Sequence, residues 1–171
     1  MRRRLAVLAL LLVSGLPGCT ENTAPGNDRE ARLDPPATAA PFAEPGDALA
    51  GVATALVTPQ VMGPADLRAL PPGERRCRFR MTRVGFATLV WPLEGRGTAF
   101  VKLNDRLVPL PRTDGRRFSA AGITVEVRPR DGAEPGEDLF EAEMILRLPG
   151  VAHERGYHGY AECAPETADA S

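Results

Sequence analysis

The sequence has few of the residues that form most catalytic sites. Its 171 residues include two histidines, three cysteines, two tyrosines and one tryptophan. Of its serines, Ser14 lies in an N-terminal apolar segment, and neither Ser119 nor Ser171 lies in the Gly-x-Ser-x-Gly turn of a serine hydrolase. These scarcities argue against nucleophilic catalysis. We therefore expect a protein that is not an enzyme and that uses no cofactor.

Long apolar runs are also lacking. The run LAVLALLLV, residues 5–13, would form a helix of about 14 Å, whereas the hydrocarbon core of a bilayer is about 30 Å thick. It follows three arginines, Arg2–Arg4, and a basic segment before a short apolar segment is typical of a secretory signal peptide. The sequence therefore predicts export rather than a membrane-spanning helix.

The signal ends in the tetrapeptide Leu-Pro-Gly-Cys, Leu16–Cys19. This tetrapeptide resembles the lipobox of bacterial lipoproteins, in which the cysteine is lipidated and becomes the mature N-terminus. The resemblance implies that residues 1–18 are a lipoprotein signal peptide and that Cys19 carries the lipid. Thr20 stands where an aspartate would retain such a protein at the inner membrane, so we expect anchoring at the outer membrane, facing the periplasm. Ordinary signal cleavage after Gly15 is the alternative.

Positive charge is scarce once the signal is removed. Without the three signal arginines, 18 basic side chains remain against 22 acidic ones, a net charge of −4, and Lys102 is the only lysine. A nucleic-acid-binding domain has an excess of positive charge, so nucleic acid is not an expected partner. Lipidation of Cys19 would leave Cys77 and Cys163 as an even pair in an oxidising compartment, where a disulfide is the usual state.

The N-terminal part of the mature chain divides into two segments. Residues 19–46 contain five prolines and few large apolar side chains, so we expect a lipidated, disordered tether. Residues 47–73 form a helical or irregular lead-in, in which Asp47 can cap a helix, although VATALV (52–57) is also compatible with a strand. Pro64 predicts the first residue of a second short helix.

From Glu74 onward, apolar and polar residues alternate as in strands with one buried face. The strand candidates are RCRFRM (76–81), FATLVW (86–91), TAFVKL (98–103), RLVPL (106–110), GITVEVRP (122–129) and LFEAEMILRL (139–148). The unbroken apolar run FATLVW indicates a strand that is buried on both faces or that passes a bulge. Asn104-Asp105 predicts a tight hairpin turn, and Pro109 indicates a sheet edge. We predict a mainly β domain over residues 74–165, a small antiparallel β-barrel or sandwich of six to eight strands with one or two short N-terminal helices. A disordered tail, residues 166–171, would follow.

YHGYAEC, residues 157–163, is the expected closing strand. Its alternation places Cys163 on the same inward face as Gly159 and Ala161, while Cys77 shares an inward face with Phe79. We therefore predict a Cys77–Cys163 disulfide that joins the first strand of the β domain to its last.

Both histidines lie in HERGYH, residues 153–158. His153 and His158 are five residues apart and would face different sides of either a helix or a strand, unlike the i, i+4 pair of zinc hydrolases. We expect no metal site. A metal-dependent hydrolase that uses this segment is the less favoured alternative.

Arginines crowd the first predicted strand, where Arg76, Arg78 and Arg80 would share the outer face. Such a cluster can bind an anion, for example a lipid phosphate or a cell-wall carboxylate. We favour cross-strand pairing with Glu141 and Glu143 as the explanation of the cluster. The candidate ligand surface also includes three aromatic residues, Trp91, Tyr157 and Tyr160, if they are exposed, but for Trp91 we favour a position in the core or at its rim.

A small, lipid-anchored and disulfide-linked β-barrel is similar to the membrane-bound inhibitors of chicken-type lysozyme. In that family a strand ends in a Ser-Gly turn, followed by a tyrosine that enters the cleft of the enzyme. FSAAGITVEV (118–127) has Ser119 and Gly122, and Val125 stands at the position of the tyrosine. The resemblance implies a periplasmic inhibitor of a cationic cell-wall hydrolase as an alternative function. The favoured hypothesis is a non-catalytic, lipid-anchored module with a binding or structural role and an unknown ligand, for which an envelope protein and an anionic cell-wall ligand are the candidates.

Replacing Cys19 with serine tests the anchor. The variant should move from the membrane fraction to the soluble periplasm, because the predicted tether contains no other apolar anchor. Fractionation followed by immunoblotting measures the change. A variant that still sediments with membranes and resists a salt wash would rule out the lipoprotein hypothesis.

Overall fold

The computed structural model describes residues 37–72, 75–130 and 139–163. These ranges contain one short α-helix, α1 (Pro64–Ala69), and a 3₁₀ helix, Thr54–Leu56. The strands are β1 (Pro59–Gln60), β2 (Arg76–Arg80), β3 (Leu89–Pro92), β4 (Thr98–Leu103), β5 (Arg106–Asp114), β6 (Arg117–Ala120), β7 (Ile123–Pro129), β8 (Leu139–Arg147) and β9 (Arg155–Glu162). In the described ranges, no helix has the length and apolar character needed to span a membrane.

Eight of the strands form a closed antiparallel barrel. They are hydrogen bonded in the order β4, β3, β2, β9, β8, β7, β6, β5, and a further pairing of β5 with β4 closes the ring. The extra strand, β1, pairs with the last two residues of β4, so that Pro59 lies opposite Leu103. The predicted mainly β, antiparallel fold is confirmed, and of the two predicted architectures the chain adopts the barrel.

The connections between neighbouring strands lie at the two ends of the barrel, because the strands alternate in direction. Residues 81–88, 104–105, 121–122 and 148–154 lie at one end, which we call the plugged end. Residues 93–97 and 115–116 lie at the opposite end, together with Cys77 and Cys163, and we call it the disulfide end.

The plugged end is covered by residues 44–57. Ala48 and Val57 are buried in the barrel core, and Arg155 donates hydrogen bonds to the carbonyl oxygens of Val57 and Ala55. Of the helical and irregular alternatives predicted for the lead-in, this segment adopts the irregular one, with turns and the short 3₁₀ helix. Gly51 has a φ of 76°, in the left-handed region, so a right-handed α-helix cannot continue through it.

Inward-facing side chains fill the interior of the barrel, as expected for a ring of eight strands. The largest of them are fully buried: Phe79, Leu89, Trp91, Phe118 and Met144. At Gly159 a Cβ atom would lie 2.1 Å from the Arg80 carbonyl oxygen and 2.6 Å from the Phe79 ring. Only glycine therefore lets β2 and β9 approach each other around the Phe79 ring.

A second apolar cluster lies outside the barrel, between an outer layer of residues 37–43 and 61–70 and the outer faces of β3, β4 and β5. It consists of Ala40, Met62, Leu67, Leu70, Ala87, Val90, Phe100 and Leu107. The predicted tether reached residue 46, but residues 41–43 already pair with β5, where the Ala43 N–H donates to the Leu107 carbonyl oxygen. The described part of that segment is therefore packed against the barrel.

The outer layer explains why both faces of the strand formed by FATLVW are apolar. Leu89 and Trp91 face the barrel core, whereas Val90 faces the outer cluster, so β3 is buried on both sides as predicted. The strand is shorter than predicted, because Phe86, Ala87 and Thr88 belong to the connection that precedes it.

Cys77 and Cys163 form a disulfide, as predicted. Arg78 lies opposite Glu162, so the bond continues the pairing of β2 with β9 by one residue at the disulfide end. It closes a loop with a sequence separation of 86 residues. In the chain-entropy account, closing such a loop in the unfolded chain stabilises the fold by about 4–5 kcal/mol.

Replacing Cys77 and Cys163 with alanine together should therefore lower the free energy of unfolding by up to about 4–5 kcal/mol. Denaturant unfolding of oxidised protein, reduced protein and the double variant measures the loss, and the last two should agree. Mature periplasmic protein should lack the two thiol hydrogens by mass. Free thiols at both positions in that material would contradict the pairing.

Candidate ligand-binding cleft

A buried carboxylate joins the outer layer to the barrel. Asp66, in the first turn of α1, accepts hydrogen bonds from the N–H of Gly63, at 3.0 Å, and from the N–H of Ala40, at 2.7 Å. It also forms an ion pair with Lys102 of β4, with a distance of 2.9 Å between Nζ and Oδ2. One side chain thus fixes the start of α1, residues near 40 and the wall of the barrel.

The surroundings of Asp66 favour its charged form. Burial raises the pKa of the carboxyl, but hydrogen bonds from Ala40, Lys102 and Gly63 outweigh it, and the pKa lies below its usual value. The folded state therefore binds the proton more weakly than the unfolded chain does. This contribution to stability is complete above the unfolded-state pKa of about 4 and is lost as the pH falls through the folded-state pKa.

An open cleft of about 610 Å³ lies beside this junction, on the outer wall of the barrel. We call it the outer cleft. Its apolar lining comes from the outer layer and its neighbours, through Phe42, Pro71 and Pro72, and from outward-facing positions of the strands, Val90, Pro92, Phe100 and Pro109. Phe42 and Phe100 meet edge to face, with ring centroids 6.0 Å apart. The cleft therefore presents flat rings to a ligand that lies along the wall.

Charged groups stand at the rim of the outer cleft. Arg75 and Arg76 lie near the disulfide end, where Arg76 is opposite Pro92 in the sheet, and Glu44 lies on the outer-layer side. Within the ranges that the structure describes, neither of these two arginines forms an ion pair. The cleft thus combines an apolar floor with two cationic groups at one end.

The three arginines of the predicted ligand surface face outward from β2, but they do not form one site. Arg76 borders the outer cleft, Arg78 does not, and Arg80 forms an ion pair with Glu162 of β9. The predicted cross-strand partners were wrong, because β9 lies between β2 and β8 and separates the arginines from Glu141 and Glu143.

The three aromatic residues of the predicted surface also separate. Trp91 is 1% exposed and faces the barrel core, so it is not part of a ligand surface, although its backbone borders the outer cleft. Tyr157 is partly buried against the same core. Tyr160 remains on the outer face, with the Arg83 guanidinium 6.0 Å from its ring centroid. The predicted aromatic patch is therefore not assembled.

The outer face of β6, β7 and β8 carries charges of both signs that neutralise one another. Glu126 forms ion pairs with Arg128, at 2.8 Å, and Arg117, at 2.7 Å. The hydrogen bond from Arg128, aided by Arg117, lowers the pKa of Glu126 to about 2. Glu141 pairs with Arg130 at 3.2 Å. Such exposed pairs, of which Arg117–Glu126 is a direct cross-strand pair, give a solvated surface on which the charges are largely paired.

His153 and His158 are both exposed, in the connection before β9 and on β9 itself. In the described ranges, no group of three or more histidine, cysteine, aspartate or glutamate side chains is arranged to hold a metal ion.

The Ser119–Gly122 turn is a tight hairpin, in which Ser119 Oγ donates to the Ile123 carbonyl oxygen at 2.9 Å. Val125, at the position of the inhibitors' tyrosine, is fully buried in the barrel. That position cannot enter the cleft of an enzyme.

The outer cleft itself was not predicted from the sequence. Phe42 was assigned to the tether, and Pro109 was interpreted as a residue of a sheet edge. One signal was present: the apolar residues Val90 and Phe100 stand at outward-facing strand positions. An apolar residue at such a position indicates a covering layer or a ligand site.

The fold and cleft define a small, closed antiparallel β-barrel with a covered outer wall. By sequence, the chain belongs to the family described as Domain of unknown function (DUF6692), whose match covers residues 15–166 and so includes every described residue. No curated protein and no solved structure matches the chain.

Replacing Asp66 with asparagine should destabilise the protein by about 3 kcal/mol, because Lys102 would keep its charge in a largely buried site without a partner. The matched control is Glu154→Gln, which breaks the exposed Arg147–Glu154 pair and should change stability by no more than about 0.5 kcal/mol. Denaturant unfolding at neutral pH measures both.

As the pH falls below about 4, the wild type should lose stability more steeply than Asp66→Asn does, because only the wild type must protonate this carboxyl. Equal stability of Asp66→Asn and the wild type at neutral pH would show that the pair does not hold the outer layer.

Proposed function

We propose that the protein is a lipid-anchored protein of the cell envelope, facing the periplasm, that acts by binding and not by catalysis. Its ligand is an extended, apolar segment of another envelope protein that carries an acidic side chain. The observation that carries this proposal is the outer cleft, with rings along its floor and two arginines at one end. The barrel interior is filled by side chains, so a ligand binds outside.

The anchoring rests on the sequence. Arg2–Arg4, the apolar run of residues 5–13 and the tetrapeptide ending in Cys19 together resemble the signal of a bacterial lipoprotein. Export also agrees with the Cys77–Cys163 disulfide, since disulfides persist in oxidising compartments. Lipidation at Cys19 would then hold the barrel close to the membrane.

The shape of the outer cleft favours a polypeptide over a lipid acyl chain. The cleft is open along the wall, so only one face of a ligand is buried, and an acyl chain would leave much of its surface in water. Proline and phenylalanine rings side by side are the surface on which proline-rich, extended segments dock in known recognition modules. A proline-rich segment is already extended before it binds, so binding costs it little conformational entropy.

The charges of the rim favour an acidic residue in the ligand. Arg75 is exposed, and Arg76 is half-buried beside Pro92, so a carboxylate near them would gain charge-assisted hydrogen bonds. Glu44, on the outer-layer side, is available to N–H groups of the same segment. This polarity would give the segment one preferred direction in the cleft.

An array of synthetic proline-rich peptides, each made with a glutamate and again with a glutamine, tests the proposal by fluorescence anisotropy. Wild-type protein should bind a subset of the glutamate peptides more tightly than their glutamine forms. Arg75→Glu should weaken that binding about tenfold at low salt, with a smaller loss at high salt, because the contact is at the rim. Phe42→Ser, which removes an exposed ring, should weaken both peptide forms.

The matched control is Arg78→Glu, on β2 three residues after Arg75 and outside the cleft, which should bind like the wild type. In the cell envelope, a photo-reactive residue in place of Thr98 should form a crosslink to one partner protein. The peptide that binds most tightly in the array should reduce that crosslink. No preference for any peptide, or equal effects of Arg75→Glu and Arg78→Glu, would refute the cleft as the site.

A further inference from the structure

The plugged end of the barrel carries most of the exposed apolar side chains. Five large apolar residues in the described ranges stand well exposed. Leu56 at 81%, Val84 at 85% and Phe86 at 51% lie at this end, and Val61 at 55% follows β1, whose pairing with β4 begins at the same end. We call these four the apolar rim. The fifth, Phe42, lines the outer cleft. An uneven distribution of this kind marks a contact surface.

The residues of the apolar rim come from segments that meet near the plugged end. The Met62 N–H donates to the Ala87 carbonyl oxygen at 2.7 Å, so the residues after β1 are bonded to the β2–β3 connection. Leu56 and Gln60 line one shallow depression, and Gln60 directly precedes Val61. The rim therefore combines the plug, the residues after β1 and the β2–β3 connection, three segments that lie far apart in the sequence.

Val84 and Phe86 stand at the tip of a connection, where the Thr82 hydroxyl donates to the Val84 carbonyl oxygen at 2.6 Å and holds the turn. Arg83 and Arg106 are exposed at the same end. Apolar tips with cationic neighbours suit the interface of a phospholipid bilayer, where the rings enter the headgroup region and the arginines remain at the phosphates.

The chain also reaches the barrel at this end. The Ala40 N–H is bonded to Asp66, which pairs with Lys102, the penultimate residue of β4 before the plugged end. Only residues 20–36, 17 residues, separate Cys19 from the first described residue. Seventeen residues span at most about 60 Å in any conformation, so a lipid on Cys19 would keep the first described residue within that distance of the bilayer.

We propose that the apolar rim is a membrane-contact surface, by which the plugged end rests on the phospholipid bilayer that carries the anchor. The inference rests on the proposed anchoring for its setting, and it adds an orientation of the barrel on the membrane. The contact is too weak to retain the protein alone. The anchor makes it effective by raising the local concentration of the rim at the surface.

The unlipidated mature chain, residues 19–171 with Cys19→Ser, tests the contact without the signal peptide or the lipid. Its co-sedimentation with vesicles of phosphatidylethanolamine and phosphatidylglycerol should be weak but measurable at high lipid concentration. Val84→Ser combined with Phe86→Ser, in the same background, should lower the partition coefficient about tenfold or more, because both side chains lose their burial. The fold should be unchanged, since both residues are exposed, and circular dichroism checks it.

Phe42→Ser in that background is the matched control, because it removes an equally exposed ring from the outer cleft. It should leave vesicle binding unchanged, whereas Phe86→Ser should leave peptide binding unchanged. Equal losses of vesicle binding from Phe42→Ser and Phe86→Ser, or no binding by the parent at any lipid concentration, would overturn the membrane contact. Neither result depends on lipidation of Cys19 or on a cleft ligand, so failure of the proposed function would be seen separately.

An orientation measurement on vesicle-bound protein completes the test. In the Cys19→Ser chain, Phe86→Trp places a reporter on the rim and Glu94→Trp places one at the disulfide end, while Trp91 is buried and contributes the same signal to both. Lipids brominated in their acyl chains should quench only the Phe86→Trp reporter. Equal quenching of both reporters would refute a contact through the plugged end.

Discussion

The arrangement of the outer wall depends on a carboxylate that burial alone would neutralise. Asp66 is 3% exposed, and a charged group in such a place must have its oxygen atoms satisfied. Two backbone N–H groups and Lys102 provide this, and each comes from a different part of the chain. The same contacts that keep Asp66 charged therefore fix residues near 40, the start of α1 and β4 in one arrangement. Lys102 is the only lysine in the chain, and its compact ammonium group forms the ion pair with Asp66 at this junction.

The sequence predicted the barrel well because local and tertiary forces agree there. Alternation in RCRFRM, TAFVKL and GITVEVRP matches one face buried in the barrel, and Asn104 and Asp105 adopt the positive φ values, 49° and 55°, that their turn requires. The pairing of Cys77 with Cys163 followed from the same alternation.

The outer wall was harder to predict, because it depends on contacts between distant residues. Nothing local to Asp66 indicates that Lys102 is its partner, and nothing local to Phe42 indicates that Phe100 lies beside it. Trp91 shows the same limit, since a tryptophan at a strand end is compatible with either face until the register of β3 against β2 is known. Composition also misled at residues 37–46, where prolines and alanines suggested a tether but backbone hydrogen bonds to β5 hold part of the segment.

The disulfide joins the first strand of the ring to the last, and this has a consequence for damage to the chain. A single proteolytic cut in any connection between Cys77 and Cys163 would leave two fragments that are still linked covalently, and still paired along the whole sheet. Such a nicked molecule would remain assembled for as long as its cystine is intact. In a compartment with active proteases and few thiols, the barrel would therefore tolerate nicking as a two-chain protein, and reduction would be the event that releases its fragments.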